Sequence, residues 1–315
     1  MQQSENQDHR ESTSDTINKW NEFSDGYSAN MAPNFEAAGL QMFNVVGGRD
    51  ADTIFEAGCG EGTNAVNFCL QKKKGSKLIC SDIADRMCKI AGAKFDALSK
   101  KVNDADVLGL KQFLVRISSS NTSSWTAEKG GKWDDLGVEV YLGDNEDLTN
   151  VIPESNFVDC YISSLSLHIV NDPMKMLKEA LRVLKPGKRA IFSVWGNEED
   201  STFFTLVIDV EKSIGVKSDS ASYFRMKDRS AGIKLLEDAG FVDVLGWEQV
   251  VPYIPVSAEK TSIGLHRYVV RHFDEGSEGY NTMLANLVDA RRRLSQERKF
   301  PIALSMLMLM GTKPQ

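Results

Sequence analysis

Glycines and acids at the ends of short apolar segments are the residues in this sequence whose types and spacing could support chemistry. The glycines that directly follow the first such segment, 53–57, are Gly58, Gly60 and Gly62. Glu56 stands two residues before them, and Asp82 ends the next apolar segment. Glycines allow a tight turn and a close approach to a ligand. Acids at strand ends suit ribose hydroxyls and, at Glu56, a cationic ligand.

The glycine spacing does not match two common nucleotide-binding loops. It reads GxGxG, and position 63 is Thr63, so it is not the GxGxxG dinucleotide fingerprint. The sequence also contains no GxxxxGK[ST] phosphate loop. A plain strand-to-helix turn remains the alternative interpretation of these glycines.

Alternating strand and helix patterns surround the glycine turn and must position it. The predicted elements are strands at 53–57, 77–81, 138–142, 158–163 and 189–195, and helices at 64–72, 84–99 and 173–184. This order is typical of βαβ units in a parallel sheet of at least five strands. Lys185-Pro186-Gly187 is predicted to separate the last helix from the last strand.

Further patterns flank this alternation. We expect a disordered polar tail at 1–14, and a helix at 15–30 with Asp15 as its N-cap. The other predicted elements are helices at 34–46, 203–214, 230–239, 265–273 and 280–294, and strands at 241–251 and 302–310. The polar stretch 100–137 exceeds the usual length of a connection, so we interpret it as an insertion, with 109–117 as a candidate ordered element.

Composition and charge narrow the kind of partner. Lys and Arg number 37 against 44 Asp and Glu, a net charge of −7, which does not favour a nonspecific grip on nucleic acid. No apolar stretch is long enough for a membrane span and no secretion signal is recognisable, which predicts a cytoplasmic protein. The five cysteines lack metal-ligand spacing, so we expect reduced, buried thiols and no structural metal.

These motifs resemble those of class I S-adenosylmethionine-dependent methyltransferases, whose first motif is an acid, any residue, then Gly-Cys-Gly-x-Gly, as at 56–62. The further segments that match are Asp82 after the second strand, Gly143-Asp144-Asn145 after the third, Ser163-Ser164-Leu165 at the fourth, and positions 167–173 and 179–187. The last two are similar to the ubiquinone-biosynthesis and small-molecule branch of the family. The resemblance covers about residues 15–195, and Lys188 departs from it where the family often has a second glycine.

The resemblance implies a fold and a cofactor. The fold is a Rossmann-like, seven-stranded, mostly parallel α/β sheet with helices on both faces, in one domain at 15–315 that is covered by 15–46 and 200–295. The cofactor is S-adenosylmethionine. The residues implied to bind it are Tyr27, Glu56, Gly58, Cys59, Gly60, Gly62, Asp82, Ile83, Asp144, Asn145 and Ser163.

The first of these roles concern the methionine and ribose parts of the cofactor. By the resemblance, the loop 58–62 packs against the methionine part and Glu56 lies beside its ammonium group. Asp82 accepts both ribose hydroxyls, with a simple N-cap of the following helix as the alternative. Ser163 borders the sulfonium, and Tyr27 closes over the cofactor, although core packing also explains the aromatic stripe to which Tyr27 belongs.

The remaining cofactor roles concern the adenine. Ile83 lies against the ring by the resemblance, and Asp144 accepts from its amino group, with Asn145 adjacent. A strand-terminating polar turn is the alternative interpretation of Asp144. No nucleophile is required, because the sulfonium carries an activated methyl group and the enzyme aligns an acceptor and excludes water. His168 is the candidate general base, and a buried structural histidine is the alternative.

We expect a small-molecule acceptor. The Asn-Pro-Pro-Tyr tetrad of amino-methylating nucleic-acid enzymes is absent from the fourth strand, where the sequence has 163–166 instead. The aromatic residues that favour a lipid-like or aromatic acceptor, and that core packing explains equally well, are Phe203, Phe204, Tyr223, Phe224 and Trp247. The choice among O-, N- and C-methylation stays open, as do a protein methyltransferase and a noncatalytic cofactor-binding regulator.

Overall fold

A mixed sheet of eight strands forms the centre of the computed structural model, which describes residues 12–101, 117–216, 224–253, 269–270, 272–298 and 302–315. The strands are β1 Thr53–Ala57, β2 Lys77–Asp82, β3 Gly131–Trp133, β4 Val138–Leu142, β5 Val158–Ser164, β6 Leu184–Trp195, β7 Val242–Tyr253 and β8 Ile302–Thr312. Their spatial order is β3-β4-β2-β1-β5-β6-β8-β7. The predicted number of seven strands is therefore one too low.

Helices cover both faces of the sheet. They are α1 Thr13–Asn30, α2 Glu36–Val45, α3 Thr63–Gln71, α4 Asp85–Lys101, α5 Pro173–Val183, α6 Thr202–Ser213, α7 Arg229–Ala239 and α8 Glu278–Arg298, with a 3₁₀ turn at Ala32–Phe35. Successive residues of β1 point to opposite faces, and Ile54 and Phe55 lie in two separate apolar clusters. Among the described residues, no helix has the length and apolar character needed to cross a bilayer.

The pairing pattern places the carboxyl ends of five strands at one edge. β1 pairs in parallel with β2 and β5, β2 with β4, and β5 with β6. Glu56 lies opposite Cys80 on β2 and Ile162 on β5. β8 runs antiparallel between β6 and β7, and its segment 306–309 is fully buried, as expected for a final strand inside the sheet.

The additional strand comes from the predicted insertion. β3 pairs antiparallel with β4 at the edge of the sheet, and the Nε1 of Trp133 donates to Asp96 of α4 at 2.9 Å. Ser119 of the same segment donates through its backbone N–H to Asp25 of α1 at 2.7 Å. The described part of the insertion is therefore docked on the two helices; most of the candidate element 109–117 lies outside the described residues.

Two predicted boundaries are wrong. α1 begins at Thr13, and its N-cap is Ser12, whose hydroxyl accepts from the Asp15 N–H at 3.2 Å, so Asp15 lies in the first turn instead of capping it. β6 begins at Leu184 directly after α5, and the predicted separating turn is part of the strand, with Gly187 at a φ of 72°. A register shift between Val158 and Cys160 of the neighbouring strand accommodates this irregular start. The five cysteines are free, as predicted.

Asp159 joins the start of β1 to β5 and offers a test of this architecture. Its carboxylate accepts from the backbone N–H groups of Asp52 and Thr53 at 3.1 and 2.9 Å and from Lys185 Nζ at 3.0 Å. Burial acts to raise the pKa of Asp159, but the bonds from Lys185 and Thr53 outweigh it and leave the pKa lowered.

We expect Asp159→Asn to reduce the free energy of unfolding by about 1.5–3 kcal/mol at neutral pH, because it removes the charge from these bonds. A lowered carboxyl pKa stabilises the fold above its unfolded value, about 3.9, and this contribution is lost as the pH falls through the folded value. The deficit of the variant should therefore shrink in acid. Urea unfolding at several pH values measures it, and a deficit independent of pH would contradict the proposed ion pair.

Candidate cofactor site

The glycine loop, 58–62, connects β1 to α3 with three residues in the left-handed region of backbone space. Gly58, Gly60 and Gly62 have φ values of 68°, 55° and 83°. A Cβ at Gly58 would collide with the Ser166 hydroxyl, and one at Gly62 would lie 2.8 Å from the Ala91 Cβ. Glycine is thus required at both positions by conformation and by close packing.

Gly60 differs from its two neighbours because space is open beside it. The nearest atom to a Cβ placed there is Cε1 of Tyr27, at 4.0 Å. A Cβ at Gly60 would therefore fit without a clash, at contact distance from the ring of Tyr27.

Asp82 anchors this loop from the tip of β2. Its Oδ2 accepts from the Gly60 N–H at 2.8 Å, and its Oδ1 accepts from the Ala84 N–H at 2.9 Å. Burial raises the pKa of Asp82 even though these backbone bonds act to lower it. The carboxylate of Asp82 thus bonds to the residue before α4 and to the glycine loop, and its role toward a ribose stays a prediction.

Glu56 lies on β1, the strand next to the one that ends at Asp82, and its side chain is fully buried. Burial raises its pKa well above the usual range, the charge of Asp82 adds to this, and a hydrogen bond from Asn64 opposes it. Within the described ranges, neither acid forms an ion pair with a lysine, arginine or histidine. Two adjacent acids with raised pKa values suit a ligand that brings hydroxyl donors and positive charge.

The turn after β4 contributes an unsatisfied buried oxygen. Asp144 Oδ1 accepts from the Glu146 N–H at 2.9 Å, so this acid does terminate the strand in a polar turn. Asn145 is 9% exposed, and its Oδ1 has no hydrogen-bond partner among the described residues. Its Nδ2 lies 3.3 Å from the Cβ position of Gly58, which places the amide beside the glycine loop. Ile83 is half-buried next to Asp82.

The tip of β5 closes the other side of the loop. Ser163 is fully buried and donates from its hydroxyl to the Ala57 carbonyl at 3.0 Å. Leu165 has a φ of 57°, a strained value for leucine, and its N–H donates to the carbonyl and the hydroxyl of Ser193, both at 3.0 Å. The turn at Leu165 precedes Ser166, which lies against Gly58; sequence reasoning missed Ser166 because only the strained turn places it there.

α1 carries its aromatic residues beside the buried serines of its packing face. The fully buried positions of α1 are Ser24 and Ser28, whereas Trp20, Phe23 and Tyr27 are only half-buried. The ring of Tyr27 contacts those of Trp20 and Phe23 at centroid distances of 5.7 and 5.9 Å. The aromatic stripe is thus half-buried: Phe23 and Tyr27 pack against the apolar core, next to the fully buried serines.

His168 follows the β5 tip as a buried, neutral imidazole. Burial, with the charge of Arg225 adding to it, lowers the pKa of His168 to about 3. Its ring centroid lies 6.1 Å from that of Trp195 at the end of β6. The Nδ1 atom has no hydrogen-bond partner in the part of the chain that the structure describes.

These observations fit S-adenosylmethionine. The acidic side chain of Glu56 suits the ammonium group of this cofactor, and that of Asp82 suits its ribose hydroxyls. The unpartnered Oδ1 of Asn145 suits a hydrogen-bond donor on the ligand, and Gly60 has no side chain to fill the gap between its backbone and Tyr27. Cys59 is buried in the same loop, and its backbone N–H donates to the Ser81 carbonyl at 2.9 Å. All the predicted cofactor residues lie in the loop, at the adjoining strand ends or on α1.

Residues 55–192 match the family model described as a methyltransferase domain. The fold is similar to a chain in the complex between the Haloferax volcanii Trm112 methyltransferase activator and a methyltransferase, at 16% identity and a TM-score of 0.50, covering 96% of this chain and 98% of that one. It is also similar to Haemonchus contortus phosphoethanolamine N-methyltransferase 2, at 14% identity and a TM-score of 0.51, covering 97% of this chain and 61% of that one. Comparison with curated protein sequences gives no match.

The open space at Gly60 can be tested with a matched glycine. Gly75 has a φ of 83° and nothing within 4 Å of its Cβ position, so alanine there carries the same kind of backbone strain without a clash. We expect Gly60→Ala and Gly75→Ala each to lower the free energy of unfolding by roughly 1–2 kcal/mol. Only Gly60→Ala should weaken S-adenosylhomocysteine binding in calorimetry, by about tenfold or more. Equal affinities for the two variants would show that no ligand lies beside Gly60.

Proposed function

We propose that this chain, a class I S-adenosylmethionine-dependent methyltransferase, transfers the methyl group to a small-molecule acceptor. The family implies S-adenosylmethionine as the methyl donor. The observation that carries the proposed binding site is the pair of acids at adjacent strand tips, Glu56 buried and Asp82 half-buried, beside a glycine that faces Tyr27.

The cofactor roles follow from this geometry. Asp82 accepts the ribose hydroxyls while its bond to the Gly60 N–H keeps the loop in place. Glu56 provides negative charge for the ammonium group. Asn145 offers its unpartnered Oδ1 to a donor on the adenine side, and Asp144, whose Oδ1 is used in the turn, has Oδ2 for the adenine amino group.

When bound, S-adenosylmethionine supplies a methyl group that is activated by its sulfonium. This chain's own task is then to align an acceptor and exclude water. In this proposal, Tyr27 and the neighbouring aromatic residues of α1 cover the loop and limit the access of solvent. Ser163 is held by the Ala57 carbonyl, and in this proposal it borders the sulfonium as part of a fixed wall.

Aromatic residues at the end of β6 support an acceptor with apolar surface. Trp195 packs against Phe35 at a centroid distance of 5.7 Å and against Phe204 at 5.0 Å, and Phe204 packs against Phe224 at 5.7 Å. These rings form part of the core, so their role toward an acceptor is a proposal. Trp247 lies on β7, and Tyr223 lies outside the described residues.

Binding of the cofactor is the first test. Calorimetry with S-adenosylmethionine and S-adenosylhomocysteine should show one site, and Asp82→Asn should weaken S-adenosylhomocysteine by an amount comparable to a charge-assisted hydrogen bond, about 1.5–3 kcal/mol. Because Asp82 also holds Gly60, the 2′-deoxy analogue serves as the control ligand. If Asp82 contacts the ribose, the substitution should cost less with this analogue. An equal loss for both ligands would assign Asp82 to the loop alone.

The class of acceptor is tested by following the label from methyl-labelled S-adenosylmethionine in a cell extract separated into small-molecule and protein fractions. The proposal predicts label in the small-molecule fraction, and the Gly60→Ala variant controls for other enzymes. Label in the protein fraction alone would instead support a protein methyltransferase. Cofactor binding without transfer to either fraction would support a noncatalytic regulator.

His168 is proposed to contact the acceptor through its unpartnered Nδ1. A pKa of about 3 keeps the imidazole neutral, so it accepts a hydrogen bond and is a weak general base. We expect His168→Gln to lower kcat by a similar factor from about pH 6 to pH 9, with no step near the ordinary histidine value of about 6.5. A step near that value in the wild type that His168→Gln abolishes would mean that the residue titrates in water-like surroundings.

A further inference from the structure

A lysine and a glutamate form an ion pair in the interior of the protein, directly behind the glycine loop. Lys94 Nζ of α4 contacts Glu61 Oε2, and the two side chains are 2% and 3% exposed. Glu61 is the residue between Gly60 and Gly62. Such a pair needs strong partners, because removing two charges from water costs several kcal/mol each.

Hydroxyl groups complete the surroundings of the pair. Thr63 Oγ1 donates to Glu61 Oε2 at 2.9 Å, and Lys94 Nζ donates to Thr63 Oγ1 at 3.1 Å. The Thr63 N–H reaches Glu61 Oε1 at 3.3 Å. Ser28 of α1 donates from its hydroxyl to Glu61 Oε2 at 3.4 Å. The pair therefore connects four parts of the chain: α4 through Lys94, the glycine loop through Glu61, the first residue of α3 through Thr63, and α1 through Ser28.

The residues next to the pair are those that border the open space. Glu61 follows Gly60 in the chain, and Ser28 follows Tyr27. The contacts of Glu61 with Lys94 and with Ser28 therefore hold the residues next to Gly60 and Tyr27, which belong to the proposed cofactor site. Two polar contacts between α1 and α4 add to this: Asn21 Nδ2 donates to Asp85 at 2.6 Å, and Arg86 Nη2 donates to Asp25 at 3.0 Å. Those contacts are exposed, whereas the contact through Glu61 is buried.

We propose that the Lys94–Glu61 ion pair is a positioning device for the cofactor, which holds the glycine loop and α1 in the arrangement that places Tyr27 across Gly60. This inference rests on the proposed function, since it concerns the same site. Neither residue contacts the cofactor in this proposal. Both act through the backbone of the loop and through Ser28.

Burial makes the charge of Lys94 sensitive to pH below the usual lysine range. Burial lowers the pKa of Lys94 to about 7, and the negative charge of Glu36 opposes this. The groups that face Lys94 are Glu61 and Thr63 from the loop and α3, and Glu36 from α2 through its charge. Since the ion pair requires protonated Lys94, cofactor affinity should fall as the pH rises through about 7.

The test removes both charges together. Lys94→Met alone leaves Glu61 buried without a partner and risks unfolding, whereas Lys94→Met combined with Glu61→Gln leaves no buried charge. Lys89→Met is the matched control, because Lys89 is an exposed lysine on the same helix. Thermal unfolding selects conditions in which all three proteins are folded, and calorimetry with S-adenosylhomocysteine is then performed from about pH 6 to pH 8.5.

We expect the double variant to bind S-adenosylhomocysteine about tenfold more weakly than the wild type at the acidic end, with the difference narrowing as the pH rises. Lys89→Met should match the wild type throughout. In the absence of ligand, amide hydrogen exchange of residues 13–30 should be faster in the double variant, as expected for a loosened α1.

Three outcomes separate the possibilities. If the wild type binds S-adenosylhomocysteine and the folded double variant binds it with the same affinity, the positioning role is overturned and the proposed function stands. A weaker double variant whose deficit is the same at every pH would also overturn it, because a merely structural effect does not follow the charge of Lys94. Failure of the wild type to bind would overturn the proposed function and this inference together.

Discussion

The hydrogen bond from the Gly60 N–H to the Asp82 carboxylate is the interaction on which the arrangement of the candidate site depends. It joins the loop after β1 to the tip of β2 at 2.8 Å. The bond can form only because the parallel register puts Ala57 opposite Ser81, which brings the two strand ends level. It also requires a loop that bends through positive φ values, and this explains why glycine occupies 58, 60 and 62.

Placing acids at these strand ends has a cost that a ligand can offset. Glu56 and Asp82 have raised pKa values in the fold, so their contribution to stability is greatest in acid and is lost as the pH rises through the folded values. At neutral pH the free protein therefore bears the cost of two poorly solvated carboxyl groups. A ligand that donates hydrogen bonds and brings positive charge relieves this cost and stabilises the folded state by mass action. The same feature that weakens the free protein thus selects the chemistry of what it binds.

The sequence was informative wherever local pattern decides structure. The limits of β1 and β4 were predicted correctly, and the glycines and acids were placed at strand ends because apolar segments and turn residues are local signals. The features that it did not reveal depend on partners far along the chain. Lys94 resembles any polar residue of an amphipathic helix until Glu61 is brought to it, and three-residue β3 is too short for a periodic signal. The start of β6 was hidden because Lys185-Pro186-Gly187 has the composition of a turn, although the pairs of Val158 with Leu184 and of Cys160 with Arg189 lie on either side of it.

The docking of α1 shows how such long-range contacts decide which face of a helix is functional. Aromatic periodicity alone would bury Trp20, Phe23 and Tyr27, yet these rings are only half-buried, and the fully buried positions are Ser24 and Ser28. Small side chains let α1 approach closely enough for Ser28 to reach Glu61, while Asp25 is fixed by the insertion through Ser119. The ring of Tyr27, which packs partly against the apolar core, then lies 4.0 Å from the Cβ position of Gly60. The insertion, which the sequence marks only as an unusually long polar connection, therefore helps to hold the helix that carries the proposed cover, and this role requires no contact with the ligand.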